Sequence, residues 1–445
     1  SRVLPSIGED AAELRALGEV LEAVSATRQD TAEVAAIKGS QRMRKVLRGA
    51  IRQAPVDAPE ELRITYKGEV LRLGPKELAV LRRTVHGRGG LSNASRVIAA
   101  ELLLDALWQQ AELHAEESAG RLAFDRELFI DELAERIDFH RFVVAFWRLY
   151  TPQELLLGLA DPVRLAAAAR SALSTKEVEL LATALQRSAT EGFTVSDVAL
   201  LDELRGLLGQ PRRRRGARTE QSPRRNYDEY AHVVVDEAQD LSPMQWRMVG
   251  RRGRFASWTI VGDPVQSSWP DPTQAQAAMR AALGEKAARR RFTLRTNYRN
   301  SAEIFELAAE TVRGMAEPDD LPHAVRATGV APRLRAVADP GAEVVPAVAE
   351  MLEEVEGTVG VITAMDRVVE IAALLDSVAN ERVRVVGSLD AKGLEYDGVV
   401  LLEPHELLRE SSTGRSALYV ALTRATQRLT VLSEDEAWRS PAAPR

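Results

Sequence analysis

The sequence predicts an α/β protein whose amino-terminal half is mainly helical. After Tyr230, short aliphatic runs alternate with amphipathic segments, which is the pattern of parallel sheets flanked by helices. Before about Gln210, apolar residues instead recur at intervals of three and four, as on one face of a helix. The 445 residues are enough for roughly two to four domains with cores of their own.

Composition restricts the classes of function. The chain has no cysteine, which excludes disulfides and thiolate metal sites, and its 6 histidines lack the HxxxH or HExxH spacing of zinc sites. No apolar run reaches membrane-spanning length, and the first residues do not form a signal-peptide pattern. We therefore expect a cytoplasmic protein with no membrane contact. The net charge of −6 gives no global reason to expect nucleic-acid binding, although the local distribution of charge can differ.

The helical half extends from about residue 11 to about residue 210. Its best helix signal follows Ser95, where RVIAAELLLDALWQQ places apolar residues on one face. Residues 126–150, 152–173 and 175–188 repeat the pattern, with a helix start at Pro152. The alternating ITYKGEVLRL, residues 64–73, predicts one β-hairpin that turns at Lys67 and Gly68. Nothing in this half indicates catalysis.

An arginine-rich segment, PRRRRGARTEQSPRRN at residues 211–226, separates the two halves. It holds seven arginines and one acid, so low hydrophobicity and like charge predict a solvated loop or linker. The alternative is contact with nucleic-acid phosphates through Arg212, Arg213, Arg214 and Arg215. No aromatic residues are interleaved for base stacking, which favours the solvated loop.

The carboxyl-terminal half is predicted to contain a parallel sheet, or two in tandem. The predicted strands are residues 233–235, 258–261, 291–295, 333–337, 358–362, 383–386, 399–402 and 429–432, and helices are predicted at 302–312, 344–355 and 366–378. The first strand, in AHVVVDEAQD, is expected to be buried on both faces. It runs directly into Asp236 and Glu237, at the carboxyl edge where open α/β sheets bind ligands.

Five short motifs follow one another in this half: DEAQD at 236–240, GDPVQ at 262–266, TNYRN at 296–300, AKGLEYD at 391–397 and YVALTRA at 419–425. Each is a weak signal by itself. Together and in this order they resemble motifs II to VI of superfamily 1 helicases of the UvrD/Rep type. The resemblance covers about residues 230–432. It implies an α/β fold with two RecA-like P-loop NTPase lobes, the first one incomplete, and a large mainly helical insertion.

The resemblance also implies catalytic roles, residue by residue. Asp236 would hold Mg²⁺, and Glu237 would orient and deprotonate the attacking water. Gln266 would sense the γ-phosphate of ATP. Arg299 and Arg424 would reach the same phosphate from the second lobe, since phosphoryl transfer requires a metal ion and permanently charged guanidinium groups.

Further residues of the motifs are implied to bind ATP or nucleic acid. Tyr298 would stack on adenine, and Gly393 and Glu395 would lie at the nucleotide, with the acid near the ribose. Trp269 lies where the family has an aromatic that stacks on a nucleic-acid base, although its SSWP context departs from the usual pattern.

Two departures from the family pattern refine the interpretation. The sequence contains no GxxxxGK[ST], so we expect this chain alone not to hydrolyse ATP, and a preceding segment to carry that motif. Only about ninety residues separate Arg299 from Lys392, too few for the extra domain that DNA-unwinding members insert there. The large insertion lies upstream of Asp236. With KGLEYDGVVLLEP and LYVALTRATQRL, this arrangement resembles the HelD-type relatives that bind bacterial RNA polymerase.

The HelD-type resemblance implies an ATPase that binds RNA polymerase core and displaces nucleic acid to recycle it. Mg²⁺ and ATP would be its cofactors, and DNA or RNA further partners. The predicted organisation is a remnant of the first lobe (1–24), a helical insertion (25–210), the arginine-rich loop (211–229), the rest of the first lobe (230–290), the second lobe (291–435) and a tail (436–445). One alternative is a UvrD/Rep-type DNA helicase or translocase. Another is a non-enzymatic scaffold, if Ser1 is the true start.

Overall fold

The computed structural model describes residues 16–21, 24–53, 58–88, 92–117, 125–209, 230–284, 289–315, 321–376, 378 and 380–439. These residues form two compact units. The first comprises the described residues of Ser1–Asp228 together with Pro243–Arg252, and the second those of Glu229–Ser242 and Gly253–Arg445. The finer domain boundaries given above stay a prediction.

The first unit is mainly helical. Its helices are α1 (Ala32–Gly39), α2 (Met43–Arg52), α3 (Pro75–Gly87), α4 (Arg96–Glu117), α5 (Arg126–Ala134), α6 (Ile137–Phe146), α7 (Pro152–Gly158), α8 (Pro162–Ala169), α9 (Thr175–Glu191), α10 (Val195–Leu208) and α11 (Pro243–Arg252). The stretches predicted at 126–150 and 152–173 are each two helices. In the second, Asp161 caps a new helix, its carboxylate accepting from Val163 N at 2.8 Å, and Pro162 is tolerated because it is the first helical residue.

The predicted hairpin is confirmed. Strands β1 (Leu62–Tyr66) and β2 (Glu69–Leu73) pair antiparallel, with Leu62 opposite Leu73. Both turn residues have positive φ, 47° at Lys67 and 90° at Gly68, as a two-residue hairpin turn requires. The apolar face of the hairpin packs with α4, α5 and α6 in one core, and a second core joins α2, α7, α8, α9 and α10.

Helix α11 belongs to the helical unit although the chain reaches it only after β3. Its arginines bind two buried acids of α10. Arg247 Nε lies 2.6 Å from Glu203 Oε2, Arg251 Nη1 lies 2.7 Å from the same oxygen, and Arg252 Nη2 lies 2.9 Å from Asp202 Oδ1. Buried carboxylates are stable only when paired, so this cluster fixes α11 against α10.

The second unit is α/β. Its elements are β3 (His232–Val235), β4 (Ser257–Ile260), α12 (Pro272–Leu283), β5 (Thr296–Ser301), α13 (Ala302–Thr311), β6 (His323–Arg326), β7 (Arg333–Ala336), α14 (Pro340–Glu354), β8 (Val359–Thr363), α15 (Val368–Leu375), β9 (Val383–Gly387), β10 (Tyr396–Leu402), α16 (Pro404–Glu410), α17 (Gly414–Leu422) and β11 (Ala425–Ser433). A five-stranded parallel sheet has the order β7-β11-β10-β8-β9. Strands β3 and β4, and strands β5 and β6, form two smaller parallel pairs. The predicted mixture of parallel sheets and helices is confirmed.

Two strand predictions are wrong in detail. The strand expected at residues 291–295 instead lies at Thr296–Ser301, where it pairs with β6. The strand β3 is not buried on both faces, since Val234 is 64% exposed. In the pair of β3 and β4, His232, Val234, Ser257 and Thr259 are exposed, so one face of the pair is open among the described residues.

None of the described helices is long and apolar enough to cross a lipid bilayer.

Candidate functional site

The candidate site begins where β3 ends, at Asp236 and Glu237. Both acids are exposed. Glu237 has φ 51° and ψ 39°, a left-handed conformation that is uncommon for residues other than glycine. Its backbone N donates to Asp236 Oδ1 at 2.9 Å. The sharp turn therefore directs the two neighbouring carboxylates differently, as distinct roles for them would require.

Gln239 orients the Glu237 carboxylate. Its Nε2 donates to Glu237 Oε2 at 2.6 Å, while its Oε1 accepts from Asp263 N at 3.0 Å. The amide thus connects the end of β3 to the segment after β4. A Cβ at Gly262 would lie 2.6 Å from Gln239 Oε1, so glycine leaves the space this bridge needs.

Lys392 brings a positive charge to these acids. Its Nζ lies 2.5 Å from Asp240 Oδ2 and 3.6 Å from Glu237 Oε2, and it donates to Gln266 O at 2.9 Å. The side chain is 19% exposed. Sequence reasoning did not select Lys392 as a site residue, although it lies within the AKGLEYD motif beside Gly393.

Gln266 lies in a 3₁₀ turn after β4 and uses its side chain locally. Its Nε2 donates to Asp263 Oδ2 at 2.8 Å. Because its carbonyl binds Lys392, Gln266 contacts the cation that also meets Glu237. A role as phosphate sensor stays a prediction, since the amide would have to leave Asp263 to reach a ligand.

Arg299 and Tyr298 lie on β5 rather than in a loop after it. Arg299 Nη2 forms an ion pair with Glu395 Oε1 at 2.6 Å, in which both side chains are about half exposed. The Tyr298 side chain is 76% exposed and available to stack on a planar group. Thus Arg299 and Glu395, assigned to the γ-phosphate and the ribose region, contact each other directly.

Arg424 is buried, with 2% of its surface exposed. Its Nε donates to Val420 O at 3.0 Å and its Nη1 to Leu394 O at 3.1 Å. Burial, and then the positive charge of Arg299, lower its pKa to about 10, while Glu395 and Glu237 act in the opposite direction. Arg424 is therefore electrostatically coupled to the acids at both ends of the site.

The remaining predicted residues are placed as follows. Gly393 has φ 76°, which favours glycine there. Trp269 is 8% exposed, and its Nε1 has no hydrogen-bond partner among the described residues; its ring would have to move to stack on a base. Arg212, Arg213, Arg214 and Arg215 lie outside the described residues.

The described residues offer few oxygen ligands for Mg²⁺. No group of three or more His, Cys, Asp or Glu able to hold a metal ion occurs within the described part of the chain. Magnesium at nucleotide sites takes one or two carboxylates and completes its shell with water and phosphate oxygens. An exposed Asp236 at the end of a strand fits that limited protein contribution.

Acids at a strand end, with arginines supplied by later motifs, are the kinds of side chain that phosphoryl-transfer sites use. Residues 182–433, more than half of the chain, match the family described as the viral superfamily 1 RNA helicase core domain. The chain belongs to that family. The superfamily 1 part of the predicted resemblance is thereby confirmed.

Among solved structures, the chain is similar to the C-terminal domain of a possible DNA helicase from Lactobacillus plantarum WCFS1. The two are 20% identical, over 31% of this chain and 87% of that chain, with a TM-score of 0.25. No curated protein matches the chain.

Proposed function

We propose that the chain contributes the acids and arginines of an ATP-hydrolysing site built on RecA-like lobes. One observation carries the proposal. Glu237, from the end of β3, meets Lys392 and is electrostatically coupled to Arg424, both from motifs more than about 150 residues later in the sequence. A purely structural ion pair would not require a lysine from one distant motif to meet an exposed strand-end carboxylate, or an arginine and an acid from two other motifs to pair with each other, as Arg299 and Glu395 do.

Each residue would have a defined task in phosphoryl transfer. Asp236 would hold Mg²⁺, whose charge neutralises the phosphate oxygens. Glu237, whose carboxylate accepts a hydrogen bond from Gln239, would orient a water and take its proton. Arg299 would exchange Glu395 for a phosphate oxygen, and Arg424 would add a second guanidinium. Arginines in such positions contribute about 10³–10⁵ in rate in related sites.

The nucleotide part of the proposal is tested by binding. A fluorescent ATP analogue with Mg²⁺, followed by anisotropy, should bind the chain, and Arg299→Gln should weaken that binding about tenfold, since it removes one charge-assisted contact. Arg384→Gln on β9 removes an equally charged, exposed arginine that belongs to none of the five motifs, and serves as the control. Equal affinities for the two variants would contradict the assignment of Arg299.

We further propose that the parent protein is HelD-like, binding RNA polymerase core and displacing nucleic acid from it. Two features of the sequence support this proposal. One is the pair of stretches KGLEYDGVVLLEP and LYVALTRATQRL, and the other is a large helical segment that lies upstream of Asp236 rather than between Arg299 and Lys392. Size-exclusion chromatography of the chain with RNA polymerase core should give co-elution. A tailed DNA duplex should stay intact in a strand-displacement assay. Strand separation without polymerase would instead support a UvrD/Rep-type helicase.

A further inference from the structure

The helical unit contains a cavity of about 780 Å³. One face of α3 forms one wall, since Pro75, Leu78, Arg82 and His86 recur at spacings of three and four residues. Its volume lies in the range of about 300–1,000 Å³ typical of small-molecule sites.

The lining of this cavity is strongly basic. Arg82 and Arg83 come from α3, Arg52 ends α2, and Arg170 follows the last residue of α8. Glu60 is the one carboxylate among the described residues that line it. Three separate helices therefore deliver four guanidinium groups to one concave surface.

These guanidinium groups have no acidic partner among the described residues. Arg82 Nη2 donates to Phe146 O at 3.1 Å, but its Nη1 is buried and has no partner in the described part of the chain. Arg83 Nε donates only to Ala79 O, at 3.3 Å. The side chains of Arg52 and Arg170 form no hydrogen bond or ion pair within the described part of the chain.

Other arginines of the same unit do find acids. Arg42 lies 2.6 Å from Glu177, and Arg148 lies 3.3 Å from Glu154. A buried donor without an acceptor is unfavourable and rare. Because Nη1 of Arg82 is enclosed and has no acceptor among the described residues, its charge adds to the positive potential beside the cavity.

Two further features support an anion site. Arg170 has φ 50° and ψ −115°, a backbone conformation uncommon for a residue with a side chain and concentrated at ligand-binding positions. His86 contacts Trp147, and its pKa is lowered to about 4 by burial and by Arg52 and Arg82. The electrostatic potential at His86 is therefore positive.

We propose that this cavity binds a small molecule carrying two or more phosphate groups. Guanidinium groups match phosphate oxygens in geometry and stay charged at every physiological pH. The apolar wall formed by Pro59, Leu78 and Ala79 suits a ring or sugar attached to the phosphates. An extended nucleic-acid strand fits less well, because the surface is a concave cavity and its described lining has no Trp, Tyr or Phe ring for base stacking.

The first test titrates the 445-residue chain with inorganic triphosphate by calorimetry, without Mg²⁺ and in about 0.15 M salt, which screens non-specific attraction. We expect one saturable site. The double variant Arg52→Gln/Arg170→Gln should weaken binding about tenfold or more, since both side chains are exposed and unpaired. Arg141→Gln on α6, which removes an exposed arginine away from the cavity, should change the affinity less than about twofold.

A second test locates the ligand without relying on those variants. Triphosphate should shift the NMR resonance of His86, assigned by its loss in His86→Gln, and should raise the pKa of this imidazole from about 4. Tighter binding of ATP than of inorganic triphosphate would identify a nucleotide as the ligand, and equal binding an inorganic or other phosphate ester.

Several results would overturn the proposal. They are the absence of saturable binding, equal weakening by Arg141→Gln, an unmoved His86 resonance, and displacement of triphosphate by single-stranded RNA with affinity that rises with RNA length. The last result would assign the surface to nucleic acid. Because the cavity lies in the helical unit and the assay omits Mg²⁺, failure here leaves the proposed ATP site untouched.

Discussion

His86 makes the helical unit sensitive to acid. Its pKa is about 4 when folded, through burial and through Arg52 and Arg82, against an ordinary value of 6.5. As the pH falls, the unfolded chain therefore binds a proton at His86 before the folded chain does. The contribution of His86 to the free energy of unfolding is complete above pH 6.5 and is lost between pH 6.5 and pH 4. The loss approaches at most about 3 kcal/mol. The urea midpoint should fall between pH 7 and pH 5, and His86→Gln should reduce that fall. An identical fall in the variant would exclude His86 as a cause.

Lys392 stabilises the acids of the candidate site. It is mostly buried and bridges Asp240, Glu237 and Gln266 O. Lys392→Met leaves two acids and a carbonyl oxygen together without their cation, so we expect a loss of about 1–3 kcal/mol in the free energy of unfolding. Lys176→Met, which breaks an exposed pair with Glu33, should cost only about 0–1 kcal/mol. Equal losses in denaturant titrations would mean that the Lys392 contacts are weak.

Strand β5 shows where sequence patterns stop predicting structure. TNYRNS has low strand propensity, which is why the strand was expected earlier, at 291–295. Tertiary contacts outweigh that propensity. Asn300 is buried, and its Nδ2 donates to Thr423 O at 2.8 Å and to Ala425 O at 2.7 Å, connecting β5 to the chain around Arg424.

The Asn300 contacts make a sharp prediction about this element. Asn300→Asp places carboxylate oxygens against two carbonyl oxygens, and should destabilise the second unit by about 2–4 kcal/mol. Asn380→Asp is the matched control. Asn380 is exposed, and its Oδ1 accepts from Arg382 N at 2.9 Å, a bond that an aspartate oxygen can also accept. Thermal unfolding should separate the two variants by more than about 5 °C for a unit of this size. A control as damaging as Asn300→Asp would contradict the proposed contacts.

At the scale of the whole molecule, the order of the motifs along the chain predicted more of the candidate site than amino-acid composition did. Five weak motifs in sequence located Glu237, Arg299 and Arg424 within one unit, because spacing in a parallel α/β fold constrains where strand ends meet. Composition missed the basic cavity, since a net charge of −6 is a sum over the chain. Arg52, Arg82 and Arg170 meet only through helix packing, and no local pattern encodes that meeting. Lys392 was missed although it lies within AKGLEYD, because its meeting with Glu237 and Asp240 is a long-range contact.

The site as a whole is tested by Glu237→Gln in the complete gene product. Glutamine keeps the size of the side chain and an oxygen that can accept from Gln239 Nε2, but it cannot take a proton from water. We expect ATP binding within about threefold of wild type and turnover reduced about 10²–10⁴-fold, the usual contribution of a general base. Glu370→Gln on α15, which only breaks a surface pair with Arg367, should leave turnover unchanged. If Glu237→Gln turns over ATP at the wild-type rate, Glu237 is not the base, and its contacts with Gln239 and Lys392 serve stability alone.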